Sequence, residues 1–251
     1  MSDYFAYDFG YSWPVTFGHL IPLALFGAVA VIAAWRGWPR WISVLAGGVA
    51  LWALAALAIN HAVFRINTPA PPATERFLAS GAGRVLDVGA GSGRAAIGLL
   101  LARPRVTATA LDIYQGYFGI DDNTPERLLV NARIAGVADR IEARTGDMRD
   151  MPFEDGAFDG VISVAAIDHL RDEGIVKTLA EVARVLKPRG EFLLTIVDVD
   201  LWAQFASPHA IAHHPAADRE RWRTRLESSG FRIVEQGKIP ASLYFLATRT
   251  E

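Results

Sequence analysis

Arg84-Val-Leu-Asp-Val-Gly-Ala-Gly-Ser-Gly-Arg94 is the stretch on which the reading of this chain turns. Arg84–Val88 has the short apolar run of a buried strand, and Arg94–Ala102 has helical composition. Glycines at 89, 91 and 93 fill the turn between them. Glycine there permits positive φ and lets backbone N–H groups approach a ligand without a Cβ in the way. The nicotinamide fingerprint G-x-G-x-x-G asks for glycine at a place held here by Arg94, although some variants carry alanine, so that reading is weakened. Asp87, two residues before the first glycine, faces the ligand side of the turn. A loop of this kind also serves as a plain tight turn, so it decides nothing alone.

Moving outward, Val106–Leu111 reads as a second strand ending in Asp112, placed to accept hydrogen bonds from ribose hydroxyls. Ile141-Glu-Ala-Arg-Thr-Gly-Asp147-Met148 reads as a third strand and its exit, and Gly160–Val164 as a fourth. A short helical stretch is expected around Thr74–Ser80 and a longer helix over Thr178–Leu186, closed by Lys187-Pro-Arg-Gly190. Strand Glu191–Val197, helix Asp218–Ser229 and strands near Phe231–Gln236 and Leu243–Thr248 follow. Such alternation predicts an α/β fold around a parallel sheet.

Asp87-x-Gly89-x-Gly91-x-Gly93, Asp112, Asp147-Met148 and Met151-Pro-Phe-Glu-Asp-Gly-Ala-Phe-Asp159 together resemble the ordered motifs of class I S-adenosylmethionine-dependent methyltransferases. Met151–Asp159 looks most like the quinone-biosynthesis and related small-molecule members. The likeness runs from about Thr74 to the C-terminus. It implies a seven-stranded, mostly parallel Rossmann-like sheet with helices on both faces and a last antiparallel strand. It also implies S-adenosylmethionine as cofactor, held by Asp87, Gly89, Ala90, Gly91 and Gly93 around the methionine part. Asp112 and Ile113 would take the ribose, Asp147 the adenine amino group, and Met148 the ring face. Each carboxylate also has a plain structural alternative, as a loop cap, an exposed strand end or a turn residue.

The chain departs from a compact pattern in two places. Between Asp112 and a helix starting near Pro125 it inserts Ile113-Tyr114-Gln-Gly-Tyr117-Phe-Gly-Ile-Asp-Asp-Asn-Thr124. Loops at strand carboxyl ends line the ligand crevice, so Tyr114 and Tyr117 become candidate substrate contacts, the alternative being a solvated loop. After the fifth strand, Asp198 to His214 forms a long segment rich in aromatics and histidines, and Trp202, His209 and His213 are candidates there. Its spacing fits no defined metal site, and no metal is expected. Methyl transfer mainly needs alignment and exclusion of water, with a general base optional. Asp168-His169, at the exit of the fourth strand, is the candidate catalytic pair; the alternative is a histidine that merely starts the next helix.

The first 66 residues have a different character. No residue is charged from Phe17 to Trp35 or from Trp41 to Ile59, each about 19 residues against the roughly 20 that cross a bilayer core. Arg36-Gly-Trp-Pro-Arg40 joins them too tightly for anything but an antiparallel hairpin, with Trp35, Trp38 and Trp41 clustered at the turn. A transmembrane helical hairpin is therefore expected at 1–66, with helices at about 17–35 and 41–59. A cleaved signal peptide and a buried hairpin are the alternatives; the first lacks a basic N-terminal region and the second lacks a polar stripe. Glycines 27, 47 and 48 hint at close helix packing. Asn67-Thr-Pro-Ala-Pro-Pro-Ala73 reads as a stiff spacer before a domain at 74–251.

Composition sets outer bounds. The 251 residues are 51 % hydrophobic, the excess lying before residue 65, and contain no cysteine, which removes disulfides, thiolate zinc sites, Fe–S clusters and cysteine nucleophiles, and with them cysteine-coordinated metalloid chemistry. A net charge of -2 with no basic patch argues against nucleic acid as a partner. The expected protein is a membrane-associated methyltransferase with a small, lipophilic acceptor and its catalytic domain on the cytoplasmic side, where the cofactor is made. A non-catalytic membrane scaffold and a nicotinamide-dependent oxidoreductase are the alternatives; the acceptor atom, topology and oligomeric state are not written in the sequence.

Overall fold

A computed structural model describes residues 6–115, 120–207 and 217–250. The apolar run before the glycine turn forms strand β1 (Ala82–Val88), whose Val85, Leu86 and Val88 are fully buried. It sits inside a seven-stranded sheet of order β3-β2-β1-β4-β5-β7-β6. The other strands are β2 (Arg105–Asp112), β3 (Ile141–Thr145), β4 (Phe158–Val164), β5 (Leu186–Val197), β6 (Phe231–Ile239) and β7 (Ser242–Arg249). All pairings from β3 through β5 are parallel, and β7 runs antiparallel to both β5 and β6.

Period-two alternation divides the interior into two layers. Leu86 and Val88 join Leu179 and Val182 of helix α6 (Asp172–Val185) and Trp222 and Leu226 of helix α8 (Arg219–Ser228) on one face. Val85 joins Ile97 and Leu100 of helix α4 (Arg94–Ala102) and Leu128 of helix α5 (Pro125–Ile134) on the other. The expected α/β sheet with helices on both faces is thus present.

Several local expectations are corrected. Thr74–Ser80 is a run of turns, not a helix: Leu78 takes φ 45° while Phe77 is fully buried beside it. Helix α6 begins at Asp172 rather than Thr178, since Ile175, Thr178, Leu179, Val182 and Val185 already mark one buried face and Asp172 and Glu173 complement its positive end. Lys187–Gly190 lies within β5, irregular where the register with β4 shifts. Leu201–Ala206, read as loop, forms a short helix α7 capped by Asp200, whose carboxylate accepts from Ala203 N at 2.9 Å.

The N-terminal part is a hairpin of α2 (Leu20–Trp35) and α3 (Arg40–Ala58), preceded by α1 (Trp13–Phe17) and followed by a π turn (Ile59–Val63). Among the described residues one helical span, Arg40–Val63 with mean hydropathy 2.3, is long and apolar enough to cross a membrane; α2, at 16 residues, is too short, so the expected pair of spanning helices is not found. Within the hairpin the buried positions carry small residues and the exposed ones large apolar residues. Ala33, Ala46, Ala50, Ala53 and Ala56 are buried, whereas Val31, Trp35, Val44, Leu45 and Leu51 are all more than 60 % exposed. The close-packed seam is therefore made by alanines, and the glycine expectation fails: a Cβ at Gly27, Gly47 or Gly48 would meet nothing within 4 Å.

Residues 67–73, read as a spacer, are docked on the sheet domain. Arg94, in the place where a dinucleotide fingerprint has glycine, donates from Nε to Thr68 O (2.9 Å) and from Nη2 to Phe64 O (2.8 Å). Ala70 N donates to Arg94 O at 3.0 Å. The segment before α1 also packs on the domain: Phe9 is buried among Ile97 and Leu128, and Asn131 of α5 exchanges hydrogen bonds with the backbone of Asp8. Ala70 crosses so close to α4 that a Cβ on Gly98 would lie 1.9 Å from the Ala70 carbonyl oxygen. Gly98→Ala should cost about 1–3 kcal/mol, the usual range for overpacking, seen as a lower denaturation midpoint in detergent.

Candidate active site

In open α/β sheets ligands bind outside the strand carboxyl ends where the strand order reverses, here between β1 and β4. The turn leaving β1 stands there. Gly89, Gly91 and Gly93 have φ of 76°, 52° and 85°. At Gly89 the need for glycine is also steric, since a Cβ would lie 2.3 Å from the Ala166 side chain at the exit of β4 and 3.2 Å from Met148 Cε. Gly93 closes on Leu128 in the same way, at 2.8 Å, while Gly91 faces open space apart from Ile120 at 3.7 Å. Gly91 is thus the glycine left free toward a ligand. The N–H groups of Gly89 and Ala90 both donate to Leu111 O, which ties the turn to the end of β2.

Two carboxylates flank this turn. Asp112, the last residue of β2, accepts from Gly91 N (2.8 Å) on one oxygen and from Tyr114 N (2.7 Å) and Asn123 Nδ2 (3.2 Å) on the other. Asp87 is 1 % exposed; one oxygen accepts from Ala96 N at 3.1 Å, and the other is buried with no partner among the described residues. Burial, with a smaller contribution from the nearby Asp112 charge, raises the Asp87 pKa from 3.8 to about 7 against the lowering effect of the Ala96 hydrogen bond. An unpartnered buried oxygen beside a glycine cradle suits a cationic group, and S-adenosylmethionine carries positive charge on its sulfonium and amino group. The residues present therefore fit that cofactor.

Tyr114 takes φ 51° and turns its phenol inward, where the hydroxyl is buried without a partner among the described residues. Burial, then the charges of Asp112 and Asp87, push its pKa well above the ordinary tyrosine value. Ile113 is exposed at the mouth. Asp147 follows β3, and Arg149 grips its carboxylate through Nε (2.9 and 3.0 Å) and Nη2 (2.5 Å); that hydrogen bonding lowers the Asp147 pKa. An adenine amino group would have to share or displace that guanidinium. Met148 packs between Gly89 and the α6-side core, at the floor of the cradle.

Asp168 and His169 lie in a 3-10 turn (Ile167–His169) after β4. Asp168 Oδ2 accepts from Val197 N at 2.8 Å, joining the exits of β4 and β5, while Oδ1 is buried without a partner among the described residues. His169 borders a groove of about 380 Å³ with Arg149, Arg171, Glu173 and Lys177. Asp168 thus has one oxygen committed to holding this turn against the end of β5. Trp202 sits on α7, half exposed. Tyr117, His209 and His213 lie outside the described residues.

Asn123 and Arg149 were missed by sequence reasoning. Neither has a motif signal: Asn123 reaches Asp112 from eleven residues on, and Arg149 grips a carboxylate only two residues before it. Asp198 was noted only as part of a loop, yet it is buried and paired with Lys238 Nζ at 2.7 Å. Among the described residues no cluster of His, Asp and Glu could hold a metal.

The Asp87 carboxyl gives a pH signature. Its pKa is higher folded than unfolded, so between 3.8 and about 7 the folded chain binds more protons and stability falls as pH rises. That difference amounts to about 4 kcal/mol at most. Asp87→Asn should flatten this part of the pH dependence, measured by denaturation in detergent, if the burial of this carboxyl is its source.

Comparison with known proteins accords with this geometry. Residues 85–190 match the family model of a methyltransferase domain. The chain is 30 % identical over 170 residues to a ubiquinone/menaquinone biosynthesis C-methyltransferase of Bartonella bacilliformis, covering 63 % of this chain and 59 % of that one. It is 41 % identical over 114 residues to a fatty-acid O-methyltransferase of Mycolicibacterium smegmatis, covering 45 % and 36 %. Its fold is similar to an O-methyltransferase family 2 protein of Planctomyces limnophilus solved with apigenin, at TM-score 0.57 and 18 % identity over 85 % and 71 % of the chains. The chain spans 58 %, 65 % and 37 % of the length of three curated methyltransferases that it matches. Residues 85–190 thus match a methyltransferase domain carried on the Rossmann-like fold, which implies S-adenosylmethionine as its cofactor.

Proposed function

We propose that this protein is a membrane-associated S-adenosylmethionine-dependent methyltransferase that methylates a small lipophilic acceptor. The observation that carries the reading is a pairing within one chain: a glycine cradle flanked by Asp87 and Asp112, and a docked hairpin with small residues inside and large apolar residues outside. In water that arrangement would leave large apolar side chains exposed along both helices, the kind of contiguous patch that marks an interaction or membrane surface. In lipid it follows the rule for helix packing, where close contact through small residues replaces hydrophobic burial. The relatives named for ubiquinone/menaquinone biosynthesis and for fatty-acid methylation favour a lipophilic acceptor.

Bound cofactor supplies an electrophilic methyl group. The chain's own residues then have to bind, align and exclude water. Asp112, already fixed by Gly91, Tyr114 and Asn123, is set to exchange one of these partners for ribose hydroxyls. Asp87 keeps its unpartnered oxygen toward the cationic end. His169 is the candidate to take a proton from an acceptor that must lose one, and Asp168 holds its turn against β5. Because the cofactor is made in the cytosol, the catalytic domain is assigned to the cytoplasmic face.

Calorimetric titration of the detergent-solubilised chain with S-adenosylmethionine and S-adenosylhomocysteine tests the catalytic half. Micromolar binding is expected, reduced at least about tenfold in Asp112→Ala, which removes charge-assisted hydrogen bonds. Affinity should also rise with pH through about 7, as Asp87 ionises toward a cationic ligand. A folded chain that binds neither ligand would overturn the enzyme reading in favour of a scaffold. Flotation with phosphatidylcholine vesicles tests the other half; a chain that stays at the bottom of the gradient would remove the membrane from the account.

A further inference from the structure

Helix α7 is an unusual element for the surface it occupies. Leu201, Trp202 and Phe205 are 81 %, 50 % and 44 % exposed, Ala203 and Ala206 face inward, and no charged residue lies from Leu201 to Ser207. Its position is fixed at both ends. Asp200 caps it and also accepts from Ala241 N at 3.0 Å, which pins it to the carboxyl edge of the sheet directly after β5. At its other end the carbonyl of Phe205, one of those a helix terminus leaves without an internal partner, accepts from Trp52 Nε1 of α3 at 3.0 Å. An indole toward the open end of the hairpin, against His19 at the start of α2, thus holds a helix of the methyltransferase domain.

We propose that α7 lies at the bilayer surface, its Leu201, Trp202 and Phe205 side chains entering the same leaflet as the hairpin. The two form one lipid-facing surface that ends at the substrate side of the site. This rests on the membrane reading above and adds a route: a lipophilic acceptor passes from the leaflet along α7 to the carboxyl ends of β4 and β5 without crossing water. Three features favour lipid over a protein partner. The apolar face of α7 adjoins that of α3, so the two are continuous. Six helical residues extend only about 9 Å, a strip too short to present by itself the roughly 800 Å² per side of a stable protein interface. The exposed Leu201, Trp202 and Phe205 also match the apolar side of interfacial helices, which enters about 5–10 Å into the headgroup boundary.

The absence of cysteine makes the test direct, because any introduced thiol is unique. Leu201→Cys, Trp202→Cys, Leu45→Cys on the hairpin and Ser228→Cys at the opposite edge of the sheet are exposed positions, each to be labelled with bimane in the full chain reconstituted into phosphatidylcholine vesicles. Labels at 201 and 202 should be quenched by phosphatidylcholine carrying doxyl near the top of its acyl chain, at least about twofold more than the label at 228 and with the opposite ranking for aqueous iodide. Quenching by lipid at 45 but by iodide at 201 and 202 would overturn the role of α7 and leave the membrane reading standing. Protection at 201 and 202 from both quenchers would mean that protein covers α7, and would also overturn it. No lipid quenching at 45 would sink the membrane reading, and this inference with it.

Discussion

The hydrogen bond from Gly91 N to the Asp112 carboxylate, made across the ends of two parallel strands, is the contact around which the site is organised. It depends on register: Val88 pairs with Leu111, so the turn leaving β1 and the carboxylate ending β2 emerge at the same level. Had β2 slipped by one residue, Asp112 would point to the other face of the sheet and the cradle would lose its wall. The positive φ values at Gly89, Gly91 and Gly93 allow the turn to be tight enough for that contact.

Around it the charge distribution is one-sided. Asp87 and Asp112 both face the turn, and among the described residues no cation pairs with either; their partners are backbone N–H groups and one amide. The buried Asp87 therefore holds its proton to about pH 7. Farther along the same edge Asp147 is paired with Arg149 and Asp198 with Lys238. The region beside the glycine loop is thus where a cationic ligand gains most.

The hairpin and the sheet domain are joined by specific polar contacts rather than by a free linker. Arg94 holds the carbonyls of Phe64, Arg65 and Thr68 from the first turn of α4, so the segment leaving the hairpin is bound to the helix that starts at the glycine loop. On the other side of the loop, Asn131 bonds both Asp8 and Ser92, linking the segment before the hairpin to the glycine turn itself. The two ends of the hairpin therefore brace the cradle from opposite directions, and Trp52 makes a third attachment at α7.

Local sequence by itself determined the parts that rest on short-range chemistry. The glycine turn, the carboxylates that end β2 and follow β3, the strand and helix alternation and the two apolar N-terminal runs are legible because conformational freedom, burial and hydrophobic period are written within a few residues. Only the tertiary structure decided what depends on distant groups meeting. Arg94 looked like a fault in a fingerprint and is a clamp on a segment 26 residues away. Asp168 looked like part of a catalytic pair, and one of its oxygens is spent on Val197, 29 residues on. The alanine seam of the hairpin, the partnerless oxygen of Asp87 and the helix α7 held by Trp52 were likewise invisible. Each is set by which surfaces the fold brings together, and a one-dimensional pattern does not record that.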